Sequence, residues 1–259
     1  MILKEPEQKM KRIFSFLLIL MLLSAHALAD PIALVDDFAE EITEPSDPED
    51  PSSGTFVYIC RFPHVDENAE GSLGINTFYS EQFDYEMGFT MPMIREAFFG
   101  QDSATVISYT VTCNNDDYFS VLIRKEETNP DLTRVSWTGN VFSRKEEATG
   151  NTFTLPKLLG ILESTENDET VQEYKTRRAD ELIRTMVWDM IQSNEDGIDY
   201  GSLTEEDLTH IFFPEESFYL DENGDPVFYI QPGNIFEEVP EGMGLLVFPI
   251  PLEDILDEL

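Results

Sequence analysis

"SATVISYTVTCNNDDYFSVLIRKEE", residues 103–127, consists of two β-branched, aromatic-rich runs on either side of Asn114-Asn115-Asp116-Asp117. Val, Ile, Thr, Tyr and Phe suit a pleated, half-buried surface, whereas Asn and Asp tolerate the backbone of a tight turn. The stretch predicts a β-hairpin. The same signature recurs in "LTRVSWTGNVFSRKEEATGNTFTL", residues 132–155, with its turn at Thr149-Gly150-Asn151. It recurs again in "SFYLDENGDPVFYI", residues 217–230, where Asn223-Gly224 supplies the φ-permissive pair. Three hairpins make antiparallel pairing the main theme of the fold.

Helical patterns stand between them. Residues 72–100 place Ile75, Phe78, Tyr79, Phe83 and Met87 at helical spacing, and Gly88 and Pro92 are expected to interrupt that helix. Thr170 with Glu173 reads as a capping box, after which Ala179, Leu182, Ile183, Met186, Val187 and Met190 recur until Gly197. Its Arg177, Arg178 and Arg184 are expected on the polar side, solvated or paired with local acids. "TFVYICRFP" opens as a strand ended by Pro63, and "LEDILDEL" closes the chain as a short amphipathic helix. Strands and helices come in blocks rather than in strict alternation. That predicts an α+β fold of antiparallel sheets, each packed by a helix, in two similar-sized halves at 55–130 and 131–259.

The N-terminus reads as an export signal over residues 1–29. Lys11 and Arg12 precede the apolar run "IFSFLLILMLLSA", and Ala27-Leu28-Ala29 is a small-x-small triplet with cleavage expected after Ala29. Glu5 and Glu7 are unusual in such a leader, so Met10 is an alternative start; an uncleaved anchor is the competing reading. Residues 30–54, "DPIALVDDFAEEITEPSDPEDPSSG", are dominated by acid, proline and serine. They are expected to form a disordered tether.

The 16 Lys+Arg stand against 52 Asp+Glu. Removing the leader, with four basic and two acidic residues, leaves 12 against 50, a formal charge of −38. No Lys or Arg follows Arg184, while that tail carries 19 Asp or Glu. Such a field repels nucleic acid and draws cationic partners in; it also serves solubility. Cys60 and Cys113, an even pair in an exported chain, are expected to form one disulfide. It would close a loop of roughly 50 residues and contribute on the order of 3–4 kcal/mol.

Catalytic and metal motifs are sparse. With Gly224 at the sixth position of a calcium loop, Tyr219 and Ile230 fall at positions one and twelve; with Gly197 there, Gln192 and Leu203 do. None of the four is a suitable ligand. Two histidines follow the leader, His64 and His210, and no Gly-x-Ser-x-Gly elbow exists. Carboxylates are too abundant to select a hydrolytic pair. The residues suggest neither a metal nor a cofactor, and a non-enzymatic role is expected, with a carboxylate hydrolase as a distant alternative.

The order of "TGNTFTLPKLL", a long helix, "FPEESFYLDENGDPVFYI" and "LLVFPIPLEDIL" resembles a domain of unknown function of the RsiV type. That domain forms the extracytoplasmic part of an anti-sigma factor that is a lysozyme receptor, and it accompanies a peptidoglycan deacetylase as a non-catalytic module. The likeness rests on Thr149-Gly150, Thr154-Leu155, Phe218-Tyr219-Leu220, Val227-Phe228-Tyr229-Ile230 and Phe248-Pro249-Ile250-Pro251. The family's Gly-Gly-Ala-His segment is replaced near 130–141 by "PDLTRVSWTGNV", and its "aPyaaG" loop corresponds to "EEVPEGMG". The resemblance implies an exported binding module, periplasmic or secreted, with no membrane span in the mature chain. A basic lysozyme-like protein is its expected partner. Phe236 with Glu237, Glu238 and Glu241 is the candidate binding loop, an apolar anchor ringed by acid; a structural or envelope-associated module is the alternative.

Overall fold

The computed structural model describes residues 31–145, 152–162, 169–195, 197–240 and 242–259. Its framework is a five-stranded sheet formed in sequence order by β1 (Phe38–Asp47), β2 (Asp50–Phe62), β3 (Ser103–Asn114), β4 (Tyr118–Thr128) and β5 (Thr133–Ser143). The 103–127 hairpin is its centre, with Ala104 opposite Thr128 and Asn114 opposite Phe119. A separate three-stranded antiparallel sheet contains β6 (Phe218–Leu220), β7 (Pro226–Ile230) and β8 (Leu246–Pro249). The fold is α+β, as expected, but the large sheet is mixed. β2 and β3 run parallel because α1 (Ser72–Tyr85), a π-turn (Glu86–Thr90) and α2 (Met91–Ala97) cross over between them.

The helix expected over 72–100 is interrupted where Gly88 and Pro92 stand, its α-helical bonding giving way to the π-turn after Tyr85 and resuming at Met91. Gly88 falls in the π-turn and Pro92 in the first turn of α2, where its missing N–H costs little. The expected tether does need correction, since β1 occupies 38–47 and pairs with β2 from Phe38↔Phe62 to Pro45↔Thr55. Phe38 and Ile42 pack on the core, so acid and proline in composition concealed a strand with an alternating apolar side. Even Ile32 is buried, and the Asn114 amide holds its backbone N–H at 2.8 Å and its carbonyl at 3.0 Å. The division at 130/131 fails for a related reason. It falls in the β4–β5 turn, so residues assigned to separate halves share one sheet.

Two cores lie on opposite faces of this sheet. On one face Phe56, Tyr58 and Cys60 of β2 and Phe119 and Val121 of β4 pack against Ile75 and Tyr79 of α1. The other core gathers Val141 of β5, Leu155 and Leu158 of the short α3 (Leu155–Leu158), Ile183 and Val187 of α4 (Glu169–Ser193), Leu208 of α5 (Glu205–Ile211), Phe228, Phe248, and Ile255 of α6 (Leu252–Glu258). Thr170 and Glu173 lie in the first turn of α4, and Thr149-Gly150-Asn151 lies outside the described residues. Beyond it the Phe153 N–H donates to the Val141 carbonyl at 2.5 Å.

The second core hangs on β5. The Gln231 side chain accepts from the Trp137 N–H at 3.2 Å and donates to the Trp137 carbonyl at 2.6 Å, imitating a neighbouring strand. The Tyr229 hydroxyl accepts from the Gly139 N–H at 2.9 Å, and the Ser120 hydroxyl accepts from the Leu220 N–H at 3.0 Å. A Cβ on Gly139 would sit 2.0 Å from the Phe218 carbonyl oxygen, so β6 can approach only over a glycine.

The expected disulfide is absent: Cys60 and Cys113 are both free and buried. β3 shifts register between Val111 and Cys113, setting Cys113 opposite Ser120 rather than on the Val121 side. The bulge turns Cys113 into the second core, while Cys60 points into the first. Burial pushes the Cys60 thiol up to about 12 and the Cys113 thiol up to about 11. Both should therefore resist maleimide in the native protein and label fully, without reductant, after denaturation. Intact-mass analysis checks this, and a denatured protein that takes up label only after reduction would contradict the assignment.

Candidate functional site

Helix α5 is set by its own first turn. The Thr204 hydroxyl accepts from the Asp207 N–H at 3.3 Å, and the Asp207 carboxylate accepts from the Thr204 N–H at 2.8 Å and its hydroxyl at 2.6 Å. These bonds hold the Asp207 carboxyl below the usual carboxylate range. Just upstream, Asp199 accepts from the Gly201 N–H at 2.9 Å and shapes the 199–203 loop. Leu208 and Phe212 on the other side of α5 are fully buried, fixing the helix on the second core.

Across from it a short helical turn, Pro232–Ile235, leads into the candidate loop. Asn234 ties the two together by donating to the Ile211 carbonyl at 3.1 Å. Between them lies a groove of about 480 Å³. Leu203, Ile211, Ile235 and Phe236 give it apolar walls, and Asp199, Asp207, Glu237 and Glu238 bring four carboxylates. Three of the four residues named from sequence thus meet in one place; Glu241 lies outside the described residues. Phe236 is half-buried against the second core and lines the groove, so it is a wall rather than a protruding anchor.

Asp199, Asp207, Leu203 and Ile211 were not singled out by sequence reasoning. Nothing in one sequence reports that residues 199–211 face residues 234–238. Other acids serve the frame. Asp221 accepts from the Asn223 N–H at 2.9 Å and the Asp225 N–H at 3.0 Å, closing the β6–β7 hairpin, and Asp225 accepts from the Leu252 N–H at 3.0 Å at the start of α6. The hairpin reading of 217–230 therefore holds. His64 stacks on Phe38 at 4.5 Å with its Nδ1 2.9 Å from the Asp36 carbonyl, and His210 is exposed in the last turn of α5. Among the described residues no group of three His, Cys, Asp or Glu is placed to hold a metal ion. Nor is any helix among them long and apolar enough to cross a membrane.

Arg184, the last cation of the chain, sits behind this region rather than in it. It lies 3.5 Å from Asp180, one turn earlier in α4, and its Nε donates to the Phe212 carbonyl at 3.3 Å. Both side chains are about four-fifths buried, being 19% and 20% exposed, and Asp180 Oδ1 is buried without a partner.

No family model and no curated protein matches the chain. Two solved structures are similar over most of its length. One is a member of the DUF3298 family from Bacteroides fragilis, 15% identical with a TM-score of 0.48, covering 87% of this chain and 93% of that one. The other is a DUF3298 family protein from Pseudomonas aeruginosa, 9% identical with a TM-score of 0.49, covering 88% and 94%. The structural neighbours are thus proteins of a family whose function is unknown.

Burial raises the Asp180 carboxyl to about 6; Arg184 opposes the rise, and Glu215 and Glu181 add to it. A carboxyl with a raised folded-state value stabilises most below its unfolded value and loses that contribution as pH climbs through about 6. Asp180→Asn removes the charge and should stabilise the protein at pH 7.5 by about 1–3 kcal/mol, the difference vanishing near pH 4. Urea denaturation at the two pH values checks both the sign and the window.

Proposed function

We propose that the protein is an exported, non-enzymatic binding module whose acidic groove takes a cationic extracellular protein, with a lysozyme-like cell-wall hydrolase as the specific candidate. The observation that carries this reading is the groove itself. Four carboxylates surround apolar walls in a stretch of chain that contains no Lys or Arg. An arginine or lysine entering it would lay its aliphatic stem on Leu203, Ile211 and Phe236 and present its charge to Asp199, Asp207, Glu237 and Glu238. Because Phe236 is a wall, the partner supplies the inserted group and this chain supplies the receptor. The finer RsiV-type assignment and its lysozyme partner rest on the sequence resemblance; export rests on the leader-like residues 1–29.

Charge on this scale steers association more than it sets final affinity. Binding of a basic lysozyme should weaken steeply with added salt, since exposed charges are screened beyond about 8 Å at physiological ionic strength. Glu237→Gln with Glu238→Gln should mainly slow association. Phe236→Ala should instead speed dissociation, at a cost on the order of 2 kcal/mol. Surface plasmon resonance separates the two. Equal affinity for every basic protein, indifferent to Phe236, would reduce the acidity to a solubility device and leave a structural or envelope-associated module.

A further inference from the structure

The crossover between β2 and β3 carries two apolar stripes rather than one. Its inward stripe, Phe78, Phe83, Met87, Met91 and Ile94, packs on the first core. Its outward stripe is bare: Tyr85 is 56% exposed, Phe89 51% and Met93 51%, with Phe99 at 56% just beyond α2. A helical segment that covers a sheet needs apolar residues on one side; a second apolar side calls for a second partner.

This segment is held firmly from beneath. The π-turn begins at Glu86, whose carboxylate accepts from the Tyr58 hydroxyl of β2 at 2.5 Å and lies 3.4 Å from the Lys125 ammonium of β4. Arg95 of α2 is ion-paired with Glu44 of β1, and its guanidinium stands 5.0 Å from the Phe56 ring. Two anchors therefore fix the register while Tyr85, Phe89 and Met93 stay outward. π-turns interrupt regular helical bonding and concentrate at functional sites.

The charges around the stripe decide what covers it. Glu81, Asp84 and Glu96 are exposed there, and Arg95, the one cation in residues 72–100, is already engaged. We propose that this face docks a basic amphipathic helix of a partner protein. The helix lays its apolar side on Phe89 and Met93, whose thioether adapts to irregular neighbours. Its lysines or arginines meet Glu81, Asp84 and Glu96, and one of them stacks on the Tyr85–Phe89 ring pair, whose centroids are 5.3 Å apart. An acidic rim disfavours an anionic membrane surface, whose interfacial helices carry Lys and Arg, and a net charge of −36 disfavours a second copy. The face lies on the opposite side of the five-stranded sheet from the acidic groove and does not depend on the function proposed for it.

A designed Leu/Lys amphipathic helical peptide, titrated into the full chain and followed by fluorescence anisotropy, tests the proposal. Saturable one-to-one binding is expected, weakened roughly tenfold or more by Phe89→Ser and by Met93→Ser. Both positions are exposed, so the melting temperature should be unchanged, and Glu237→Gln with Glu238→Gln should leave the affinity as it was. A Leu/Glu peptide of the same pattern and a scrambled Leu/Lys peptide should not bind. Absence of saturable binding, equal affinity for either control peptide, or loss confined to the groove variants would overturn it. So would sedimentation of the protein with phosphatidylcholine vesicles that Phe89→Ser abolishes, which would make the stripe a lipid surface.

Discussion

The closeness of β6 to β5 is the constraint on which the second half of the molecule depends. At Gly139 the two backbones leave no room for a side chain, and around it side chains take over the work of a sixth strand. Gln231 occupies both polar groups of Trp137, and Tyr229 occupies the Gly139 N–H. An edge strand with unpaired backbone groups invites pairing with other chains. Here the edge is spent on an internal partner, and the same contacts place β7 and the turn at Pro232 that leads to the acidic groove.

Acid in this protein has two uses that composition cannot separate. Asp207, Asp221 and Asp225 are absorbed by caps and turns, where each carboxylate satisfies backbone N–H groups. Glu86 is absorbed by Tyr58 and Lys125. Glu237 and Glu238, by contrast, are exposed beside an apolar wall, and that pairing singles them out among so many carboxylates. Asp207 belongs to both groups, since the capping box that starts α5 also aims it at the groove.

The local signals in the sequence were legible, and the long-range ones were not. The hairpins at 103–127 and 217–230 follow from β-branched runs around Asn and Asp turns, and α4 follows from its apolar spacing. β1 was missed because five of its ten residues are acidic or proline, and its stability comes from β2 rather than from its own composition. The parallel pairing of β2 with β3 depends on where a crossover lands, which residues 72–100 do not encode by themselves. The disulfide expectation failed on register as well as on face: Cys60 pairs with Ile107, six residues before Cys113 on β3, and the bulge before Cys113 turns that side chain to the other face of the sheet. Phe236, Glu237 and Glu238 were found through a resemblance to one loop, whereas Asp199 and Asp207, remote in sequence, were visible only once the chain was folded.

One sheet carries two cores, and the second is fastened through the bare backbone at residue 139. Gly139→Ala followed by amide hydrogen exchange tests this most directly. The expected result is lost protection across β6, β7 and α4, with the amides of β2 and β3 under α1 keeping theirs, and a stability loss of at least about 2 kcal/mol. Wild-type stability and unchanged exchange in β6 and β7 would contradict it, because the second sheet would then be held by contacts other than those on β5.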